Sequence, residues 1–395
     1  MTTTPAPDIG ALVRDAEAAL RRRDVNVALE LLTRAEAAAP ADIPARMLKA
    51  SALRFAGDFQ GALAALEAVL VHDPYHFVAL LSKGSLLERL AGPRVAARFY
   101  RDILEAAPPE DGVPPGLAAP IAHARRLVAE NADDLADFIR QQVETVKARH
   151  GGASLGRFEE ALDIYAGRRK PFVQQPLLMH YPQLPAIPFY DRDLFPWLPE
   201  LEAATDMIRG ELGVALERAR QDFAPYVAYP PGAPVGQWGA LNNSMSWRSL
   251  WLWKDGRRQD DACAVCPETA ALLDTLPMAS QPGFAPTALF SALEAHTRIP
   301  PHTGSTNTRL LVHLPLILPG PAGFRVGNET RAWRMGEAWV FDDSIEHEAW
   351  NDAVELRVIL IFDVWNPFLS EAERDLLGVM MNARNAYYAS GASPT

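Results

Sequence analysis

Two textures divide this chain. Over residues 8–108 apolar positions recur every three or four residues among Ala, Leu, Arg and Glu, the spacing of amphipathic helices. A longer step is laid over that pattern. Ala16, Ala50 and Gly84 lie 34 residues apart, Ala28, Ala62 and Ala96 do the same, and Pro40, Pro74 and Pro108 keep the interval. Paired antiparallel helices need small residues where their backbones approach and a break where the second helix stops, so the period predicts an α-solenoid. A Pro/Gly-rich stretch from Pro109 to Pro120 then punctuates the chain. Residues 121–149 read as one long amphipathic helix and 157–166 as another, making 109–170 a helical connector. A further helix is expected from Pro199 to about Ala219. From Gly236 onward the period shortens to alternating runs between Gly, Pro, Asn and Asp. Strands are expected at 246–253, 287–296, 308–318, 322–326, 337–341, 346–350 and 355–364, with Gly327-Asn328 as a hairpin turn and a helix at Glu268–Leu276 packed outside. The expected fold class is α+β and multi-domain: a helical-repeat domain over 8–108, the connector, and a double-stranded β-helix (jelly roll) over 171–395.

The 34-residue step with small residues at two phases and a closing proline resembles the tetratricopeptide repeat. Such a solenoid presents a concave face to a peptide or protein partner, so a protein partner is expected on the repeats. His72 and His76 flank Pro74 without a third donor and read as turn residues.

Composition narrows the function. The chain has 395 residues, which suggests two or three domains at ~150 residues each, and 22% charged residues with nine Trp argue against global disorder. A net charge of −11 supplies no electrostatic footprint for nucleic acid. The most apolar stretch, Leu310 to Leu318, is interrupted by His313 and Pro315 and is far shorter than the ~20 residues a bilayer requires, so no membrane partner is expected. Two cysteines cannot build a disulfide framework, and the segment Met1–Arg23 lacks the apolar core of a secretory signal. The expected compartment is the cytoplasm. Cys263 and Cys266 form a single C-x-x-C, half a zinc site at most, and read as structural residues where a loop runs into a helix. No phosphate-loop or dinucleotide signature is present.

The chemistry concentrates in the β region. His296, His302, His313 and His347 make four of the nine histidines. His302 is expected in a turn entering a strand and His347 at a strand start. Arg357, inside the apolar run ELRVILIFDVW, is a cation that needs an anionic partner. Two imidazoles and a buried guanidinium in one barrel point to non-haem Fe(II) with an oxo-acid co-substrate held by the arginine. The bland alternatives are hydrogen-bonded core histidines, and a structural ion pair of Arg357 with Asp342, Asp343 or Glu346.

The segments PHTGSTNTRLLVHL, GNETRAW, GEAWVFDDSIEHEAWN and LRVILIFDVWNP, in that order, resemble the aspartyl/asparaginyl β-hydroxylase family of Fe(II)- and 2-oxoglutarate-dependent oxygenases. The resemblance covers roughly residues 180–368. It implies His302 and His347 as iron ligands, and Ser291, His313 and Arg357 as the 2-oxoglutarate site, with Trp247 beside it. It further implies Arg309 facing the substrate, and O2 as co-substrate. Gly304 stands where the ordinary facial triad has a carboxylate, so a water would complete the iron shell. Asp343 is then expected either to hydrogen-bond that water or to cap the DDS turn. Leu311 departs from the family's second basic residue, which puts the usual Asp/Asn substrate in doubt and leaves a different or smaller substrate open. The expected activity is hydroxylation of an unactivated C–H, most simply the β-carbon of an aspartyl or asparaginyl residue or a related small molecule, peptide or protein. The alternative is a non-catalytic helical-repeat scaffold with a ligand-binding jelly roll.

Overall fold

The structure, a computed structural model, describes residues 8–109, 112–151, 154–281 and 283–390. Met1–Pro7 of the N-terminal segment, and Glu110 and Asp111 of the proline-rich punctuation, lie outside the described residues. The chain divides into two compact units, Met1–Lys170 and Pro171–Thr395.

The first unit is helical throughout: α1 (Ile9–Arg21), α2 (Val25–Ala38), α3 (Ile43–Ala56), α4 (Phe59–His72), α5 (Phe77–Ala91), α6 (Pro93–Leu104), α7 (Pro115–Arg149) and α8 (Gly156–Ala166). Each helix packs on the next, and the 34-residue step is a packing step. Ala16, Ala50 and Gly84 fall on α1, α3 and α5, and Ala28, Ala62 and Ala96 on α2, α4 and α6, with all five alanines buried. At Gly84 the ring of Tyr100 occupies the space a Cβ would need. Asp8, Asp42 and Asp58 cap α1, α3 and α4 by accepting from the N–H three residues on, at 3.1, 2.7 and 2.8 Å. His76 caps α5 in the same way, its Nδ1 accepting from the Ala79 N–H at 3.1 Å. Pro40 and Pro74 lie two residues beyond their helices, but Pro108 lies four beyond α6. The long helix starts at Pro115 rather than after Pro120. Pro120 falls in the second turn of this helix, where it removes one backbone hydrogen bond, the one its N–H would have made to the residue four before it.

The second unit is a sandwich of two antiparallel sheets. Its strands are β1 (Ala224–Pro225), β2 (Trp247–Lys254), β3 (Arg257–Arg258), β4 (Ala288–Leu293), β5 (Thr297–His302) and β6 (Arg309–Ile317). They continue with β7 (Ala322–Val326), β8 (Glu329–Ala332), β9 (Trp339–Phe341), β10 (His347–Asn351) and β11 (Arg357–Trp365). The larger sheet runs β1-β2-β4-β11-β6-β9 with β3 on β2, and the smaller runs β5-β10-β7-β8. This is the jelly roll expected from the alternating runs. Strict alternation divides the larger sheet between two cores. Leu250, Phe290, Leu310, Val312, Leu314, Leu360 and Phe362 face the helices α9 (Leu198–Ala203), α10 (Thr205–Arg218), α11 (Asp260–Val265) and α12 (Pro267–Thr275). Trp247, Leu293, Ile359, Trp339 and Phe341 face the smaller sheet, where Ile299, Phe324, Val326 and Ala349 meet them. A last helix, α13 (Glu371–Ser390), follows β11.

Several elements depart from the sequence pattern, α11, α13, β1 and β3 being unexpected, and three more show why. The helix expected from Pro199 is two, α9 and α10, separated at Ala204, where the Thr205 hydroxyl donates back to the Glu202 carbonyl at 2.6 Å. β5 was not among the expected strands because it contains Pro300 and Pro301. It lies at the edge of its sheet, where a missing N–H is tolerated. His302 therefore ends a strand instead of opening one. β8 is short and largely exposed, so it carries little alternation.

Candidate active site

The inner face of the sandwich holds the polar residues singled out by the sequence. His302 and His347 lie directly opposite each other where β5 and β10 pair, with ring centroids 4.1 Å apart. Each Nδ1–H donates to the carbonyl two residues before it, Pro300 at 2.7 Å and Ile345 at 3.0 Å. That fixes both tautomers and leaves each Nε2 with a free lone pair, the arrangement a metal-binding imidazole needs. Burial lowers the pKa of His302. Burial and the neighbouring His302 hold His347 well below the ordinary histidine value, so both rings are neutral at pH 7. Among the described residues no three His, Cys, Asp or Glu side chains gather as a metal-binding group, so the imidazoles stand as a pair.

At Gly304, where the sequence lacks a carboxylate, a neighbouring one approaches. Asp343 lies against Gly304, where its carboxyl fills the space a Cβ would take, and its backbone carbonyl accepts the Gly304 N–H at 2.6 Å. Burial, with Asp342 adding to it, pushes the Asp343 carboxyl up to about 7. The capping alternative falls to its neighbour: Ser344 donates N–H and O–H to Asp342 at 2.9 and 2.6 Å, and Gln174 donates to the other Asp342 oxygen at 2.6 Å.

Deeper in the sandwich lies a buried cation without a polar partner. Arg357 is 1% exposed and none of its three guanidinium nitrogens has a hydrogen-bond partner. It makes no ion pair with Asp342, Asp343 or Glu346, which corrects the structural-pair alternative. Glu346 bonds Arg325 at 3.0 Å. The guanidinium lies 4.5 Å from the centroid of the Trp333 ring, and burial without a counter-ion pulls its pKa down to about 9, still charged at neutral pH. His313, on β6, is buried against Phe324 and Phe341, and its Nδ1 also lacks a partner. Burial and Arg357 hold it well below the ordinary value, so it too is neutral. Ser291, on β4, accepts from the indole N–H of Trp247 at 3.1 Å.

Arg309 is also brought to the inner face, but already partnered. It donates to Asp363, which is fully buried and also accepts the Thr287 N–H at 3.1 Å, and its guanidinium lies 4.3 Å from the Phe284 ring centroid. Sequence reasoning missed four residues of this region: Asp363, Ser249, Tyr226 and Trp238. Tyr226 stacks on Trp247 at 4.0 Å, and Trp238 lies 5.0 Å from the His302 ring. Asp363 was legible, since it is an anion in the same apolar run that exposed Arg357. Tyr226 and Trp238 sit in irregular segments where no periodicity marks them. Cys263 and Cys266 are free, buried and remote from these groups; burial pushes the Cys266 thiol up to about 12, as for an inert structural residue.

Fold and site together define a double-stranded β-helix domain with a pair of facing imidazoles and a shielded, unpartnered cation. Residues 202–367 match the family model described as aspartyl/asparaginyl beta-hydroxylase. The human "Aspartyl/asparaginyl beta-hydroxylase" is 29% identical over 368 residues, 86% of this chain and 46% of that protein. The mouse protein of the same name is 35% identical over 44% of this chain and 22% of its own length. The "Ornithine lipid ester-linked acyl 2-hydroxylase" of Rhizobium tropici is 32% identical over 50% of this chain and 66% of that protein. The chain thus spans less than two thirds of the length of these relatives. Among solved structures, the tetratricopeptide domain of Sgt2 from Aspergillus fumigatus overlaps with a TM-score of 0.28 at 24% identity, covering 33% of this chain and 85% of that one. The repeat assignment stands on the helix pairing itself, not on this overlap. Among the described residues no helix is long and apolar enough to cross a membrane.

Proposed function

We propose that this chain is an Fe(II)- and 2-oxoglutarate-dependent hydroxylase acting on an unactivated C–H. The reaction is R–H + O2 + 2-oxoglutarate → R–OH + succinate + CO2, and the target is the β-carbon of an aspartyl or asparaginyl residue or a related amino acid or peptide. The family-model match over residues 202–367 supports the reaction class. The observation that carries the reading is Arg357: a fully buried cation whose three nitrogens all lack a hydrogen-bond partner is too costly to keep unless an anion completes it.

The residues present fit both implied groups. His302 and His347 would hold the iron through Nε2, because Nδ1 of each is committed to a carbonyl. Arg357 would grip the distal carboxylate of the dicarboxylate, the His313 Nδ1 offers a further polar contact, and the Trp247–Ser291 pair forms the adjoining wall. Bound together, iron and 2-oxoglutarate supply the oxidising power for C–H hydroxylation. The protein's own part is binding, orientation and exclusion of water. Asp343, facing the vacant position at Gly304, would hold a water in place of a third protein ligand. Residues 8–108 are read as the repeat domain offering a surface to a protein partner, 109–170 as connector, and 171–395 as the catalytic domain of a cytoplasmic protein.

Anaerobic titration of the full-length chain should show one Fe(II) bound per chain and a visible charge-transfer band on adding 2-oxoglutarate. Succinate should form only with O2. His302→Ala and His347→Ala should each remove the bound iron and the succinate. Full turnover in either variant would refute the ligand assignment.

A further inference from the structure

We infer that the substrate group entering this site is uncharged, so that the site accepts an asparaginyl or aliphatic segment and rejects an aspartyl one. The inference rests on the hydroxylase reading above and deepens it. The larger sheet points two arginines inward, and they differ in state. Arg357 is unpartnered and deep, as a dicarboxylate co-substrate requires. Arg309 is neutralised by Asp363, itself fully buried and anchored by the Thr287 N–H. A substrate carboxylate could reach Arg309 only by competing with a fixed anion a few ångströms away, and the two anions would repel in a poorly solvated space.

The surroundings repeat the message. Leu311 follows Arg309 on the same inner face, with its Cα directly opposite Asp363 in the β6–β11 register, and offers only methyl groups. On β2, facing the same way as its register partner Ser291, Ser249 is fully buried with its hydroxyl unpartnered. That is a neutral group which can serve an amide or accept an apolar neighbour but cannot balance a charge. The stacked rings of Tyr226, Trp247 and Trp251 continue this neutral wall. None of Leu311, Ser249, Tyr226, Trp247 and Trp251 supplies the positive charge that a carboxylate would need to leave water.

The test uses the full-length protein loaded with Zn(II) in place of iron and with 2-oxoglutarate, whose binding is measured first by calorimetry. Three peptides identical except for a central aspartate, asparagine or leucine are then titrated. The asparagine or leucine peptide should bind at least tenfold more tightly than the aspartate peptide, and Leu311→Arg should narrow or reverse that order. Asp363→Asn, which frees Arg309, should also raise affinity for the aspartate peptide. Equal affinity for all three, or preference for aspartate in the unmodified protein, overturns the inference. A protein that fails to bind 2-oxoglutarate refutes the oxygenase reading instead, so the two failures are distinguishable.

Discussion

Replacing Arg357 with methionine should make the second unit more stable and, in the same stroke, blind to 2-oxoglutarate. The side chain is 1% exposed, and Nε, Nη1 and Nη2 are all unpaired. A buried donor without a partner costs about 1–3 kcal/mol, and the ring of Trp333 returns about 0.5–2 kcal/mol of that as a cation–π contact. Methionine is apolar and adaptable enough to fill the same space, and with all three nitrogens unpaired the replacement of buried charge by apolar volume should gain about 1–4 kcal/mol. For a unit of this size, that is a rise in Tm of about 2–16 °C. All nine tryptophans lie after residue 171, so tryptophan fluorescence follows this unit alone. Adding 2-oxoglutarate at a hundred times its Kd should stabilise the unmodified protein by about 2.7 kcal/mol and raise its Tm by several degrees. In the variant, losing the charge-assisted contacts should weaken binding by about 2–5 kcal/mol, at least ~30-fold, and the ligand-induced shift should vanish. A structural arginine behaves in the opposite way. A variant that melts lower without ligand, or that keeps its affinity for 2-oxoglutarate, would show that the unpaired guanidinium is not an anion site.

Two further substitutions test the architecture around the sites. Gly304→Ala places a Cβ on the Asp343 carboxyl and should weaken metal binding several-fold while lowering stability by about 1–3 kcal/mol, read by metal titration and by tryptophan-detected melting. Unchanged metal affinity would separate Asp343 from the iron. Gly84→Ala drives a methyl into the Tyr100 ring and should cost about 1–3 kcal/mol, partly offset by about 1 kcal/mol of helix propensity. Far-ultraviolet circular dichroism should show the helical unit melting earlier while tryptophan fluorescence holds. Coincident loss of both signals would contradict independent units.

Much of this molecule could be read in one dimension, because the reading concerned periods. The 34-residue step needs only that small residues recur where helices touch, and Ala16, Ala50 and Gly84 record that directly. Alternation placed seven strands to within a few residues, and an imidazole or guanidinium in an apolar run stands out without coordinates. The misses are those where local pattern and tertiary position disagree. Pro300 and Pro301 hid β5, since an edge strand tolerates what an inner strand does not. Tyr226 and Trp238 follow no period.

What the sequence by itself determined, then, is the order of the two units, their element types, and the residues of unusual chemistry. Tertiary structure alone decided which of those residues are satisfied. Arg309 and Arg357 look alike on paper, each a cation in an apolar strand. Pairing of β6 with β11 places Asp363 within reach of Arg309, while Arg357 finds only the face of Trp333. The reason is physical. Burial and hydrogen bonding depend on neighbours supplied by distant segments, and a charge acquires a role only when its partners, or their absence, are known.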